Sequence, residues 1–236
     1  MSLYRRVLLK VSGETLMGDR PFGVSPEAAA FVAGKIHVLQ QHGVEIGVVI
    51  GGGNIFRGIQ QAASWGMERT PADHVGMLAT LINGTVLSQA LVQAGSDVRM
   101  MTALDCPAVA EKYQWERAMR HLNKGRIVLF VGGTGHPYFT TDTCAALRAC
   151  EIRADILLKA TARVDGVYNK DPRTESNAQK YTTISYDEVL DKKLGILDLT
   201  AVTMCMQAKI PIRVFNFYEG PLSEALSDRP LGTLVT

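Results

Sequence analysis

Two lysines stand at the ends of short apolar runs. Lys10 lies in residues 5–11 (RRVLLKV), and Lys159 closes residues 155–159 (DILLK). An ammonium group at the end of a buried strand is costly without an anion beside it. Each lysine is therefore either an anion-binding group or a charge on an edge strand. Ser12 and Gly13 follow Lys10 and add a hydroxyl and an unshielded amide. Two further apolar runs end in glycine: residues 44–50 open into Gly51, Gly52 and Gly53, and residues 126–131 open into Gly132, Gly133, Thr134 and Gly135. Glycines leave backbone N–H groups uncovered and permit φ > 0. A buried strand leading through such a turn to a helix start is a ready anion site. Each turn reads as a phosphate cradle or as a tight connection without a ligand; the recurrence of turn and lysine favours the cradle. Asn54 is placed to cap a following helical turn, and Arg57, in the stretch 44–58, brings a planar cationic fork. Neither the dinucleotide fingerprint G-x-G-x-x-G nor a Walker loop occurs at these strand ends.

The elements that position these groups alternate. Ser25, Pro26 and Glu27 start a helix that Gly43 closes, with Phe31, Ile36 and Leu39 as apolar positions. Thr70 as N-cap, Pro71 at N1 and Asp73 in the first turn open a long apolar helix ending at Gly95. Its apolar set wraps most of the circumference, which points to a subunit interface. Residues 62–69 before it read as irregular. Strands are expected at 98–102 and 212–215, with a final edge strand at 231–235. Helices are expected at 114–123, at 143–150 after Asp142, after Ser185 and from Asp198. Strands separated by helices give an α/β fold, a largely parallel sheet between helical layers. In such a sheet both glycine turns fall on the carboxyl edge, where ligands bind.

Composition excludes several classes. The chain has 236 residues, 47% hydrophobic and 20% charged, with a net charge of +2. That suits one α/β unit with a large core, or at most two small ones. No dense Lys/Arg block occurs, and aromatics are 7%, so neither nucleic acid nor a membrane surface is an expected partner. Cys106, Cys144, Cys150 and Cys205 form no C-x-x-C pair and read as buried thiols of a reduced, cytoplasmic protein. No stretch reads as a membrane span.

The motifs KVSGE at Lys10, GGGNIFRG at Gly51, ADHVGMLAT around Asp73, GGTGHPYFTTD at Gly132, KATARVDGVYNKDP at Lys159 and DLTAVT at Asp198 together resemble the bacterial UMP kinases of the amino-acid kinase superfamily. The resemblance runs in order along nearly the whole chain. It implies a three-layer αβα sandwich in a single domain, 1–236, whose N-terminal part mainly binds UMP and forms interfaces and whose C-terminal part, from about 150, mainly binds ATP. It implies ATP contacts from Lys10, Val11, Ser12, Gly13, Gly53, Arg57, Tyr168 and Asp171, with Thr161 or Ala162 beside them. It implies UMP contacts from Gly52, Asp73, Thr134, Gly135, His136, Pro137, Tyr138, Phe139, Thr140 and Thr141. Lys10, Lys159, Asp142 and Asp198 would be catalytic, with Asp198 orienting Lys10 and Asp142 orienting Lys159 or a metal-bound water. Mg²⁺ would be held through nucleotide phosphates, without direct side-chain ligation. The resemblance further implies a homohexamer, inhibition by UTP, and a GTP response tied to Gly18, Asp19, Arg20, Pro21, Phe22 and Gly23. A kinase of the same fold acting on a carboxylate or carbamate, and a non-catalytic nucleotide sensor, are the competing readings.

Overall fold

The computed structural model describes residues 4–57, 64–195, 197–227 and 231–236. Gly58 and the expected irregular residues 62 and 63 lie outside them. Among the described residues one sheet carries nine strands: β1 (Arg6–Val11), β2 (Glu45–Ile50), β3 (Val98–Thr102), β4 (Glu111–Lys112), β5 (Ile127–Val131), β6 (Ile156–Thr161), β7 (Thr183–Ile184), β8 (Ile212–Asn216) and β9 (Thr233–Val235). Their order is β4-β3-β5-β2-β1-β6-β8-β9-β7. All pairs are parallel except β8–β9. The helices are α1 (Pro26–Gln41), α2 (Arg69–Gln93), α3 (Trp115–Asn123), α4 (Thr141–Glu151), α5 (Tyr186–Asp191) and α6 (Leu199–Ala208).

The strand alternation explains the layers. Val7, Leu9 and Val11 of β1, with Ile46, Val48 and Ile50 of β2, face α1 and α2. Leu8, Val49, Val128, Phe130 and Leu157 face the opposite way, against α3, α4 and α6. Successive strand residues point to opposite faces, and here both faces are covered, as parallel sheets require. The result is the expected three-layer sandwich.

Several boundaries differ from those read in the sequence. The long helix starts two residues earlier than expected: Glu68 is its N-cap and makes no side-chain capping bond, while Thr70 and Pro71 lie inside the first turn. Proline is tolerated there because those amides have no partner within the helix. Helix α4 begins at Thr141, capped by the Thr140 hydroxyl, so Asp142 sits in its first turn rather than before it. Strand β9 is not an edge strand, because β7 pairs outside it. Phe31 is 45% exposed, unlike Ile36 and Leu39; its ring stacks on Tyr218, 6.0 Å between centroids.

Helix α2 is also long and apolar enough by length and composition to cross a bilayer, contrary to the expectation that no stretch reads as a membrane span. Half of its most apolar stretch is buried within the fold. Its apolar character is that of a helix packed over β2, β3 and β5.

Candidate active site

Parallel pairing sets the geometry. Lys10 of β1 and Lys159 of β6 are direct register partners. Each lies two residues beyond a leucine, Leu8 or Leu157, that faces α4, so both ammonium groups leave the sheet on that same face. Neighbouring strands are about 4.8 Å apart, and two bare cations at that spacing repel. Asp142, from the first turn of α4, lies between them. Its Oδ1 is 2.9 Å from the Lys10 Nζ, and its two oxygens accept from the Lys159 Nζ at 2.7 and 2.6 Å. Burial opposes ionisation of Asp142, but the two ammonium groups outweigh it and hold its carboxyl below the usual range. Burial, aided by the neighbouring Lys10, lowers Lys159 to about 8. The triad carries one net positive charge at the carboxyl edge of the two central strands.

Asp198 does not touch Lys10, contrary to the sequence expectation. It caps α6, accepting from the Ala201 N–H at 2.8 Å. It also accepts from the hydroxyls of Thr140 and Thr143, the latter at 2.9 Å. Its negative charge thus sits at the amino ends of both α6 and α4, where the helix dipoles favour it. It reaches the lysines only by steadying the helix that carries Asp142.

The glycine turns converge beside the triad. The Gly51 amide donates to the Val11 carbonyl at 3.0 Å. A Cβ on Gly13 would stand 2.4 Å from the Asn54 Oδ1 and 2.6 Å from the Gly51 carbonyl oxygen, and one on Gly52 would meet the Gly76 carbonyl at 2.8 Å. Both positions require glycine through close approach. Ser12 caps the short turn Gly13–Leu16. Asn54 is buried and caps no helix; its side chain donates to the Gly23 carbonyl and to Asn83, at 2.8 and 2.9 Å. Glu14 accepts from Arg57 at 3.1 Å and from Arg163 at 3.0 Å, so two cations stand at the rim.

On one side of the triad, past β2 and β5, a cleft of about 190 Å³ is lined by Gly52, Gly53, Asp73, His136, Phe139, Thr140 and Thr141, among others. Asp73 accepts from Arg69 and from the Tyr138 N–H, both at 2.7 Å. Tyr138, at φ 72°, is 67% exposed. Thr134 bonds the His136 backbone, and Gly135 at φ 82° completes the turn before Pro137. On the other side, past β6, a cavity of about 430 Å³ is lined by Arg163, Tyr168, Asp171 and Lys193, among others. The Tyr168 hydroxyl donates to Asp165 at 2.5 Å. Hydrogen bonds from Arg173 lower Asp171 to about 2. Thr161 ends β6 with its hydroxyl donated to the Val164 carbonyl, and Ala162 follows it into the same turn. The segment from Gly18 to Gly23 is an exposed excursion, Phe22 outermost at 74% exposure, with the Arg20 side chain donating to the Val24 carbonyl and Asp19 and Pro21 in the same turn. A roomier cavity of about 470 Å³ lies behind the 134–139 loop, against Tyr113, Leu147 and Met204, and neither Lys10 nor Lys159 lines it.

Arg163, Glu14 and Asn83 were not singled out in the sequence. Arg163 had a signal, a basic residue just past Lys159; Asn83 had none, being one polar residue inside an apolar helix. Among the described residues no group of three or more His, Cys, Asp or Glu side chains is placed to hold a metal.

The chain's relatives are consistent with this geometry. A sequence model of the Amino acid kinase family matches residues 5–216. A protein named uridylate kinase from Protochlamydia amoebophila is 54% identical over 234 residues, covering 98% of this chain and 92% of that protein. Another so named, from Magnetococcus marinus, is 49% identical over 232 residues, 98% of this chain and 95% of its own length. The crystal structure of UMP kinase from Bacillus anthracis superposes with a TM-score of 0.95 at 36% identity, covering 99% of this chain and 96% of that one.

Removing the shared carboxylate isolates its effect. Asp142→Asn leaves two buried cations facing each other and is expected to cost about 3 kcal/mol at pH 7 in urea unfolding. In the native chain Lys159 sits at about 8, against 10.5 when unfolded, so the folded state binds fewer protons between those values and gains stability as pH rises through them. In the variant the folded value falls further and the gain starts at lower pH. The deficit is therefore expected to shrink between pH 7 and pH 10; a pH-independent deficit contradicts the triad. Separately, Gly13→Ala is expected to destabilise by about 2 kcal/mol through its collision with Asn54 and Gly51, read by the same unfolding.

Proposed function

The chain belongs to the amino acid kinase family, and from that premise we propose that it transfers the terminal phosphoryl group of Mg·ATP to UMP, giving ADP and UDP in pyrimidine nucleotide synthesis. The observation that carries this reading is the Lys10–Asp142–Lys159 triad between two clefts. The cleft beside Gly52 and Asp73 takes UMP, with Asp73 at the ribose and the 134–141 loop around base and phosphate. The cavity past β6 takes the adenosine of ATP, near Tyr168 and Asp171, with Lys10, Val11, Ser12, Gly13, Gly53, Arg57 and Thr161–Ala162 along its phosphates. The N-terminal part of the domain thus mainly serves the acceptor, and the part from about 150 mainly the donor.

The acceptor is a phosphate monoester with its second pKa near 6, so it is mostly a dianion at neutral pH. It needs no general base, and catalysis reduces to aligning and neutralising anions. Lys10 and Lys159 bear on the transferring phosphoryl oxygens. Asp142, engaged by both lysines, offsets the repulsion between them and orients both ammonium groups. Mg²⁺ would be held through the nucleotide phosphates rather than by side chains, and would supply further charge neutralisation there. Asp198 acts as a helix-positioning group.

Self-association to a hexamer belongs to the same reading. Leu78 and Ile82, one turn apart on α2, are each about half exposed (52% and 51%), and a second copy of the chain would cover them. GTP activation through the 18–23 segment, UTP inhibition and a cytoplasmic site of action complete it. The hydrogen bonds that join Gly23 to Asn54 support a link from that segment to the glycine turn.

The direct test is an ADP-release assay across UMP, CMP, dUMP, TMP, acetylglutamate, aspartate and carbamate. UMP is expected to be turned over fastest; a carboxylate or carbamate substrate would reassign the chain, and UMP binding without ADP release would make it a sensor. Lys10→Ala is expected to lower kcat about a hundredfold in a folded protein. Asp73→Asn is expected to raise the KM for UMP more than that for ATP, and the reverse order would exchange the two clefts. In the free enzyme kcat/KM for ATP is expected to fall above about pH 8 as Lys159 loses its proton. Lys159→Arg is expected to remove that alkaline limb.

A further inference from the structure

We propose that Asn83 is a positioning residue that aims the Gly52 amide at the acceptor phosphate, acting through the Gly51 carbonyl. The proposal rests on the reading of the Gly52–Asp73 cleft as the UMP site. Asn83 lies within α2 and is fully buried. Its Nδ2 donates to the Gly51 carbonyl at 2.6 Å and to the Asn54 Oδ1 at 2.6 Å. Asn54 returns a bond to the Asn83 Oδ1 at 2.9 Å and donates a second to the Gly23 carbonyl at 2.8 Å. Two side-chain amides therefore clamp each other and the start of the glycine turn.

The clamp has a directional consequence. In a trans peptide the C=O and the following N–H point to opposite sides, and no described peptide bond here is cis. Holding the Gly51 oxygen on the Asn83 amide turns the Gly52 N–H to the opposite side of that peptide, away from Asn83, and Gly52 and Gly53 line the cleft together with Asp73, Gly76 and Thr80 of α2. Among the described residues neither the Gly52 nor the Gly53 N–H donates a hydrogen bond within the chain. Both remain available to an anion. Glycine alone has little preference for one peptide orientation, so something outside the turn must choose it, and Asn83 does. Close packing keeps the choice: the Gly52 Cα lies so near α2 that an added Cβ would meet the Gly76 carbonyl and Ala79. Since the Gly23 N–H also donates to the Asn54 carbonyl at 2.8 Å, the exposed 18–23 segment and the glycine turn form one hydrogen-bonded unit.

The test uses the full chain in steady-state kinetics. Asn83→Leu keeps the volume and removes both donors. It is expected to raise the KM for UMP roughly tenfold or more while leaving that for ATP within about twofold. A role in packing alone would lower stability and leave the two KM values in proportion, and that result would overturn the proposal. A measurement on the native protein decides the matter if the variant does not fold. Titration with UMP, and separately with inorganic phosphate, is expected to shift the Gly52 amide resonance in a ¹⁵N-labelled sample; a stationary Gly52 amide at saturating UMP would overturn it. A native enzyme that releases no ADP with UMP would sink the functional reading instead. A native enzyme that turns UMP over, with Asn83→Leu keeping its UMP KM, would sink this proposal alone.

Discussion

Two ammonium groups held side by side by backbone register, with one carboxylate wedged between them, are the constraint around which the remainder of the site is built. Parallel pairing of β1 with β6 makes Lys10 and Lys159 partners, and neither can move away without breaking a ladder at the centre of the sheet. The repulsion this creates is relieved from above, by the first turn of α4, which supplies Asp142. A buried ion cluster of this kind is weak as a source of stability, because desolvation offsets much of the Coulomb gain. Its retention is easier to understand as preorganisation: two cations are kept close, partly neutralised and aimed at one place before any anion arrives.

The fold supplies the surroundings from the same logic. Strands parallel and buried on both faces bring their carboxyl ends to a single edge. The glycine turns after β2 and β5 therefore lie on one flank of the lysines, and the segment after β6 on the other. Asp198 shows how helix ends are recruited to that edge. It binds Thr143 of α4 while capping α6, so the helix that carries Asp142 is anchored to its neighbour by a carboxylate at two positive dipole ends.

What was legible in the sequence was whatever chemistry made locally costly. Lys10 and Lys159 interrupt apolar runs, Gly51–Gly53 and Gly132–Gly135 interrupt strands, and Ser25, Ser185 and Asp198 cap helices; each is visible within a few residues. What was not legible depended on distant partners. Asp142 turned out to serve both lysines, whereas Asp198, expected at Lys10, meets Thr143 instead, 55 residues away in the chain. Asn83 was hidden because one amide within an apolar helix has no periodicity to betray it, and its partners Gly51 and Asn54 are some 30 residues earlier. The two-residue strands β4 and β7 are too short for any alternation. The start of α2 was misplaced because Thr70 and Pro71 imitate a cap, while the actual N-cap, Glu68, makes no side-chain capping bond.

The most direct measurement is a crystal structure of the chain with UMP and a non-hydrolysable ATP analogue bound together. The account expects the Nζ atoms of Lys10 and Lys159 both within about 3 Å of γ-phosphoryl oxygens, with Asp142 still between them and the UMP phosphate in line beyond Gly52. A γ-phosphoryl group lying elsewhere, with either ammonium group turned away from it, would contradict the account.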